Sequence, residues 1–157
     1  MKICLLLFSL FFLFACAPNP YRPLSSGLGY TEAKVSKNQY EIMFHGSSRQ
    51  DPLVARQYAI VRAAEIARRE HYPYFRIDNA KTREREEIRT YVDRDPYYGY
   101  GYGYGWGNCY GSTRIETKPV VRINVIMDST ACFNCLSADE ELKEAKASGI
   151  LVEVPSG

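Results

Sequence analysis

The chain has 157 residues, about one domain's worth of material, and its 20 Lys and Arg against 18 Asp and Glu leave a formal charge of +2. That near balance excludes an electrostatic nucleic-acid binder, which needs a dominant basic face to neutralise phosphates. A hydrophobic fraction of 46% with 24% charged residues excludes wholesale disorder, although the N-terminus inflates the apolar count and one central stretch inflates the aromatic count.

Residues 1–16 read MKICLLLFSLFFLFAC. Lys2 supplies a positive start, and Ile3 to Phe14 form an apolar run interrupted only by Ser9. As a helix this run rises about 18 Å, too little for a hydrocarbon core of about 30 Å, so a secretory signal fits better than a transmembrane span. Leu13-Phe14-Ala15-Cys16 resembles the lipobox of bacterial lipoproteins, with Phe14 bulkier than the usual occupant. The resemblance implies cleavage after Ala15, a diacylglycerol thioether on Cys16 and an acylated new amine. Two or three acyl chains on one cysteine would anchor firmly where a single chain holds only reversibly. Ala17, in place of an Asp that would suggest inner-membrane retention, favours the outer membrane. The segment 16–29, with Pro18, Pro20, Pro23, Ser25, Ser26 and Gly27, has the composition of a flexible tether reaching up to about 40 Å.

The folded domain is expected over 30–157. Tyr30–Val35 and Tyr40–His45 are predicted strands joined across Ser36-Lys37-Asn38, with Tyr40, Ile42 and Phe44 on one face. Asp51 as N-cap and Pro52 at the first helical position open a helix to about Glu70. Leu53, Ile60, Ala64 and Ala67, flanked by Val61, make its apolar stripe, leaving Arg62, Glu65 and Arg69 to water. Tyr74–Arg83 is a strand with Phe75 and Ile77 inward, and Glu86–Val92 continues it or pairs with it. Val121, Ile123, Val125 and Met127 give the cleanest alternation in the chain. Ser137-Ala138-Asp139-Glu140 fits a capping box for a short helix ending at Gly149, with Ile150–Val154 as a final edge strand. The order predicts an α+β fold: a two-layer sandwich of a largely antiparallel sheet packed by one long helix, plus a short C-terminal helix.

The run Arg56-Gln57-Tyr58-Ala59-Ile60-Val61-Arg62-Ala63-Ala64-Glu65, followed by His71-Tyr72-Pro73-Tyr74-Phe75, resembles a widespread family of small proteobacterial lipoproteins first typed from Caulobacter locus names. Members share a lipobox, a proline-containing tether, a Gly-Tyr opening like Gly29-Tyr30, an "RYAxLRAAE" helix and a "GYxYF" strand. Here His71 stands where the family usually has glycine. The resemblance spans roughly residues 16–128. It implies location and architecture, and supplies no catalytic residues.

Residues 96–111 read PYYGYGYGYGWGNCYG. Tyr97, Tyr98, Tyr100, Tyr102, Tyr104, Trp106 and Tyr110 offer large amphipathic contacts suited to sugar rings, peptide strands or other aromatics. The alternative is a low-complexity hairpin tip with no ligand. Of the five cysteines, Cys4 leaves with the signal and Cys16 takes lipid; Cys109, Cys132 and Cys135 remain for a structural disulfide in an oxidising compartment. It joins Cys132 to Cys135, or Cys109 to either, and leaves one thiol over. The pair precedes its helix cap and lacks thioredoxin-like surroundings, and one CxxC with a distant His is a poor zinc set. His45-Gly46-Ser47-Ser48 lacks nucleophile-elbow spacing, and there is no P-loop, Rossmann fingerprint or HExxH.

Together these readings describe a non-enzymatic, lipid-anchored lipoprotein of the outer membrane facing the periplasm. No cofactor is expected beyond the covalent lipid, and no metal. Its partners would be the membrane, through the anchor, and an envelope protein. Peptidoglycan or another glycan held by the Tyr/Gly segment is the alternative, and thiol redox chemistry at Cys132 and Cys135 a third.

Overall fold

The computed structural model describes residues 21–92 and 111–151. They form five strands and two helices in the order β1 (Gly29–Lys34), β2 (Gln39–His45), α1 (Pro52–Arg69), β3 (Tyr74–Val92), β4 (Gly111–Asp128), β5 (Leu136–Ser137) and α2 (Ala138–Ala147). The fold is α+β, with one antiparallel sheet in the order β1-β2-β4-β3-β5. Since β2 and β3 both run antiparallel to β4, they are parallel to each other, and α1 carries the chain across the intervening strand.

The alternation in β2 and β4 sets the core. Tyr40, Ile42 and Phe44 register against Val125, Ile123 and Val121, and all six are buried, with Phe75 and Met127 continuing the layer. Asn38 fastens the end of the β1–β2 turn to β4: its carbonyl accepts from the Met127 amide at 2.8 Å and its Nδ2 donates to the Met127 carbonyl at 3.1 Å.

At the start of α1, Asp51 Oδ1 accepts from the Leu53 amide at 2.7 Å and Pro52 occupies the first turn, as expected. The buried face differs from the expected stripe. Leu53 is 74% exposed, while Ala55, Ala59, Val61, Ala63, Ala64, Ile66 and Ala67 are buried. Two neighbours cause this, because α1 packs on the sheet and also on α2, so its second half is covered through most of its circumference. Alanines permit that close double approach, and Leu53 lies at the uncovered N-terminal end.

Both helices end in Schellman motifs. At α1, Tyr72 N–H bonds to the Ala67 carbonyl at 2.8 Å and His71 N–H to that of Arg68 at 3.2 Å. At α2, Ile150 N–H bonds to Ala145 at 2.9 Å and Gly149 N–H to Lys146 at 3.1 Å. The left-handed position is Gly149 (φ 74°) in one and His71 (φ 64°) in the other. A side chain with a Cβ is strained there by about 1 kcal/mol or more. His71→Gly is therefore expected to raise unfolding stability by about 1 kcal/mol, read by urea denaturation; an unchanged or lower midpoint would refute it.

Ile150 and Leu151 do not form the expected edge strand. Their amides both point to the Ala145 carbonyl and their side chains pack on the core; 152–154 lie outside the described residues. The first half of the Ser137 capping box is present, its Oγ accepting from the Glu140 amide at 3.4 Å. Tyr74–Arg83 and Glu86–Val92 are one continuous strand with a single bulge between Ile77 and Asn79, and its partner β4 begins at Gly111, well before the alternation at Val121.

Residues 21–28 also depart from expectation. They are not free tether but a docked turn: Tyr30 N–H bonds to the Arg22 carbonyl, Leu24 N–H to the Tyr30 carbonyl, both at 2.8 Å, and Ser25 pairs with Leu28. Three prolines and a Ser-Ser-Gly run suggest only flexibility; the docking comes from Tyr21, whose ring finds aromatic partners on elements distant in sequence.

Candidate functional site

Two surface features stand out. The first is a latch between β1, α1 and the segment before β1. Tyr58, Arg62, Glu65 and Arg69 recur at helical spacing and form one stripe along α1. Arg69 is exposed as expected, but Arg62 and Glu65 are partly covered, because the stripe receives Tyr21, Tyr30 and Glu32. Tyr21 OH donates to Glu65 at 2.5 Å, and its ring lies 5.2 Å from Tyr30 and 5.9 Å from Tyr58. Arg62 donates to Glu32 at 2.7 Å and to Glu65 at 2.6 Å, with its guanidinium 4.3 Å from the Tyr30 ring centre. Arg69 closes the other Glu32 oxygen at 2.9 Å.

Burial raises the Tyr21 phenol, as does its bond to Glu65. For Arg62, burial works against the charge, but the bonds to Glu32 and Glu65 outweigh it and raise the pKa. Glu32 behaves as the mirror image: burial pushes it up, yet Arg62 and Arg69 hold it below the usual carboxylate range. A carboxyl lowered by folding contributes stability that is complete above its unfolded pKa of about 4.3 and is lost as pH falls through its folded value. Glu141, raised by burial and by Glu144 and Glu140, acts in the opposite sense, so the comparison must isolate Glu32. Between about pH 6 and 3, Glu32→Gln is expected to lose less thermal stability than the parent; parallel melting curves would remove this role.

The second feature is an arm. β2 covers β4 only from Val120 to Ile126, and β5 covers β3 only at Tyr74 and Phe75. Among the described residues, the remainder of the β3–β4 pair, from Glu84↔Pro119 out to Val92↔Gly111, is a two-stranded ribbon. Residues 111–119 alone extend it about 30 Å at about 3.4 Å per residue. One face carries a charge ladder: Glu87 engages Arg85 and Lys118, and Arg89 lies 3.4 Å from Glu116. The other face carries Ile88 opposite Ile115, exposed by 72% and 60%. At the base, Lys81, Arg83, Arg85 and Arg122 with Glu41 and Met43 line a shallow concavity of about 380 Å³ on the sheet face away from α1.

Sequence reasoning brought some of this together. Cys132 and Cys135 form a disulfide with Cα atoms 5.1 Å apart in the turn after β4. Cys135 Sγ lies 3.8 Å from Asp128 Oδ2. Asp128 and the two sulfurs are spaced like metal ligands; an oxidised pair offers no thiolate, and Asp128 faces Arg76 Nε at 3.6 Å. His45 ends β2, its imidazole lowered by burial and then by Arg85, and among the described residues no hydrogen bond joins it to Ser47 or Ser48. Cys16, Cys109, Tyr97, Tyr98, Tyr100, Tyr102, Tyr104, Trp106 and Tyr110 lie outside the described residues.

The latch was missed because helical spacing shows which side chains share a stripe, not which strand faces it. The arm was missed because Glu84–Glu87 and the Thr-Arg-Ile-Glu-Thr run have no buried face to produce alternation. The paired signal was present in mirrored composition: Ile88 between charges on one strand, Ile115 between charges on the other.

No helix among the described residues is long and apolar enough to cross a membrane. Comparison of the chain with protein families, with curated proteins and with solved structures finds no match.

Proposed function

We propose that this chain is a non-enzymatic, lipid-anchored lipoprotein of the outer membrane that acts through protein contacts in the periplasm, as a structural or accessory part of an envelope assembly. The observation that carries the contact role is the arm. It projects from a small domain an exposed isoleucine pair and two strand edges with no strand neighbour among the described residues, and such edges are templates for another chain. The anchor rests on the Leu13–Cys16 pattern and the apolar run before it. Membership of the small lipoprotein family rests on the Arg56–Glu65 motif, in which Tyr58, Arg62 and Glu65 form the latch that receives Tyr21 and Tyr30. A two-layer sandwich, helices over one sheet face, is the finer reading of the fold.

Docking of residues 21–28 changes the reach. Between Cys16 and Tyr21 the chain extends at most about 17 Å, so an anchored domain would sit close to the bilayer. Crosslinking of the full-length chain in intact cells, followed by mass spectrometry, tests the proposal. Expected are linkages from Lys118 on the arm and Lys81 at its base to a protein in the membrane fraction. Recovery in the soluble fraction, with intrachain linkages alone, would overturn it.

A further inference from the structure

The free edge of β4 has a nearly palindromic sequence, Ser112-Thr113-Arg114-Ile115-Glu116-Thr117-Lys118. We propose that this edge pairs antiparallel with the same edge of a second copy of the chain, about a twofold axis through Ile115. This deepens the contact role proposed for the arm by naming the partner, and it does not depend on the lipid anchor.

In that register Arg114 stands opposite Glu116 of the second copy, and Glu116 opposite its Arg114. Thr113 meets Thr117 twice, and Ile115 meets itself. Directly opposite residues of antiparallel strands share a face, and opposite charges there are favourable while like charges are not. Sliding by one twofold step either way destroys the match. Centred on Arg114, arginine faces arginine. Centred on Glu116, glutamate faces glutamate and Arg114 faces Lys118 on both sides. The free edge of β3 has a comparable centre at Ile88, which sets Glu87 against Arg89 twice, but both side chains are already engaged within the chain, Glu87 with Arg85 and Lys118 and Arg89 with Glu116.

The ladder inside one chain points the same way. Across β3 and β4 the directly opposite pairs are Arg89↔Arg114 and Glu87↔Glu116, like against like. Arg89 compensates diagonally at Glu116, 3.4 Å away, whereas Arg114 forms no ion pair among the described residues. A second copy on the outer edge places an opposite charge beside each of these β4 residues.

The body of the domain sets the length of the pairing. At Val120, β2 takes over as the neighbour of β4, and Gly46 packs so tightly beneath buried Pro119 that a Cβ there would lie 2.7 Å from the proline Cγ. A second strand therefore has residues 111–118 available and no more, the window in which the palindrome lies. Pro119, without an amide hydrogen, ends it.

Directly opposite antiparallel Cα atoms lie about 4.5–5.5 Å apart, within disulfide reach, whereas a residue four positions out of register is beyond it. The full-length chain carrying Cys109→Ser is the parent, and single cysteines are introduced under mild oxidation. Ile115→Cys is expected to give a disulfide-linked dimer at least about tenfold above Thr113→Cys or Thr117→Cys alone. Coexpressed Thr113→Cys and Thr117→Cys chains should link to each other, which tests the same register with Ile115 intact. Arg114→Glu should abolish the Ile115→Cys dimer, and Arg114→Glu with Glu116→Arg should restore it. Equal dimer from all three single positions, or failure of the charge swap to restore it, would overturn the register. An Ile115→Cys adduct with a different protein and none with itself would overturn self-pairing while leaving the contact role of the arm in place.

Discussion

Phe44→Ala is expected to cost about 3–5 kcal/mol of unfolding free energy, the usual range for deleting a fully buried phenylalanine that leaves a cavity. Phe44 is completely buried near the C-terminal end of β2, opposite Val121, and its ring lies 5.0 Å from that of Tyr58 at 69°, the edge-on arrangement that aromatic pairs prefer. It joins the sheet core to the latch, since Tyr58 contacts Phe44 on one side and Tyr21 on the other. Total stability of a domain this size is about 5–15 kcal/mol, so the variant would be marginal at physiological temperature. Ile88→Ala is the matched control: an apolar side chain in the same sheet, 72% exposed, for which a change within about 0.5 kcal/mol is expected. Urea denaturation of both distinguishes burial from hydrophobicity; comparable losses would mean that the arm face is covered.

Gly29→Ala should cost about 3 kcal/mol and undock residues 21–28. Gly29 has φ 115°, a region closed to residues with a Cβ, and the added carbon would sit 2.3 Å from the Arg22 carbonyl oxygen and 2.9 Å from that of Pro23. Both neighbours are backbone, so no rotamer change relieves the contact. Backbone strain of about 1–3 kcal/mol and overpacking of similar size leave release of the segment as the cheapest response. The amides of Leu24 and Tyr30, bonded to the Tyr30 and Arg22 carbonyls, report this directly. They should lose hydrogen-exchange protection while the β2–β4 amides keep theirs. Retained protection at Leu24 and Tyr30 would show that the alanine is accommodated. The functional consequence is length: eight released residues would add about 25 Å of reach between an anchored Cys16 and the domain.

The most legible parts of the fold were those with a buried face on a single element. Tyr40, Ile42 and Phe44 alternate because one side of β2 is core, and Val121 to Met127 alternate for the same reason. Asp51-Pro52 and Ser137 were readable because capping is local, settled within a turn of chain. The stripe of α1 was half legible: period 3.6 located Ala64 and Ala67, but Leu53 is as apolar as any residue and becomes exposed only because the sheet does not reach it. His71 shows a related gap. Only the Ala67–Tyr72 and Arg68–His71 hydrogen bonds show that a left-handed residue is required.

What the sequence by itself determined was therefore local and periodic: the α+β order, the two helix starts, the inward faces of β2 and β4, and the apolar N-terminal run with its cysteine. The expected start of the folded part at Tyr30 moves outward, because Tyr21 belongs to the fold. Tertiary structure alone decided the rest. Glu32, Arg62 and Tyr21 come from three separate stretches, and no spacing rule connects them until β1 is laid beside α1. The arm, likewise, is defined by where β2 stops pairing, which is a property of the neighbouring strand rather than of residues 84–92 or 111–119. A periodicity records which side of an element is dry; it carries no record of which element dries it, or of where that cover ends.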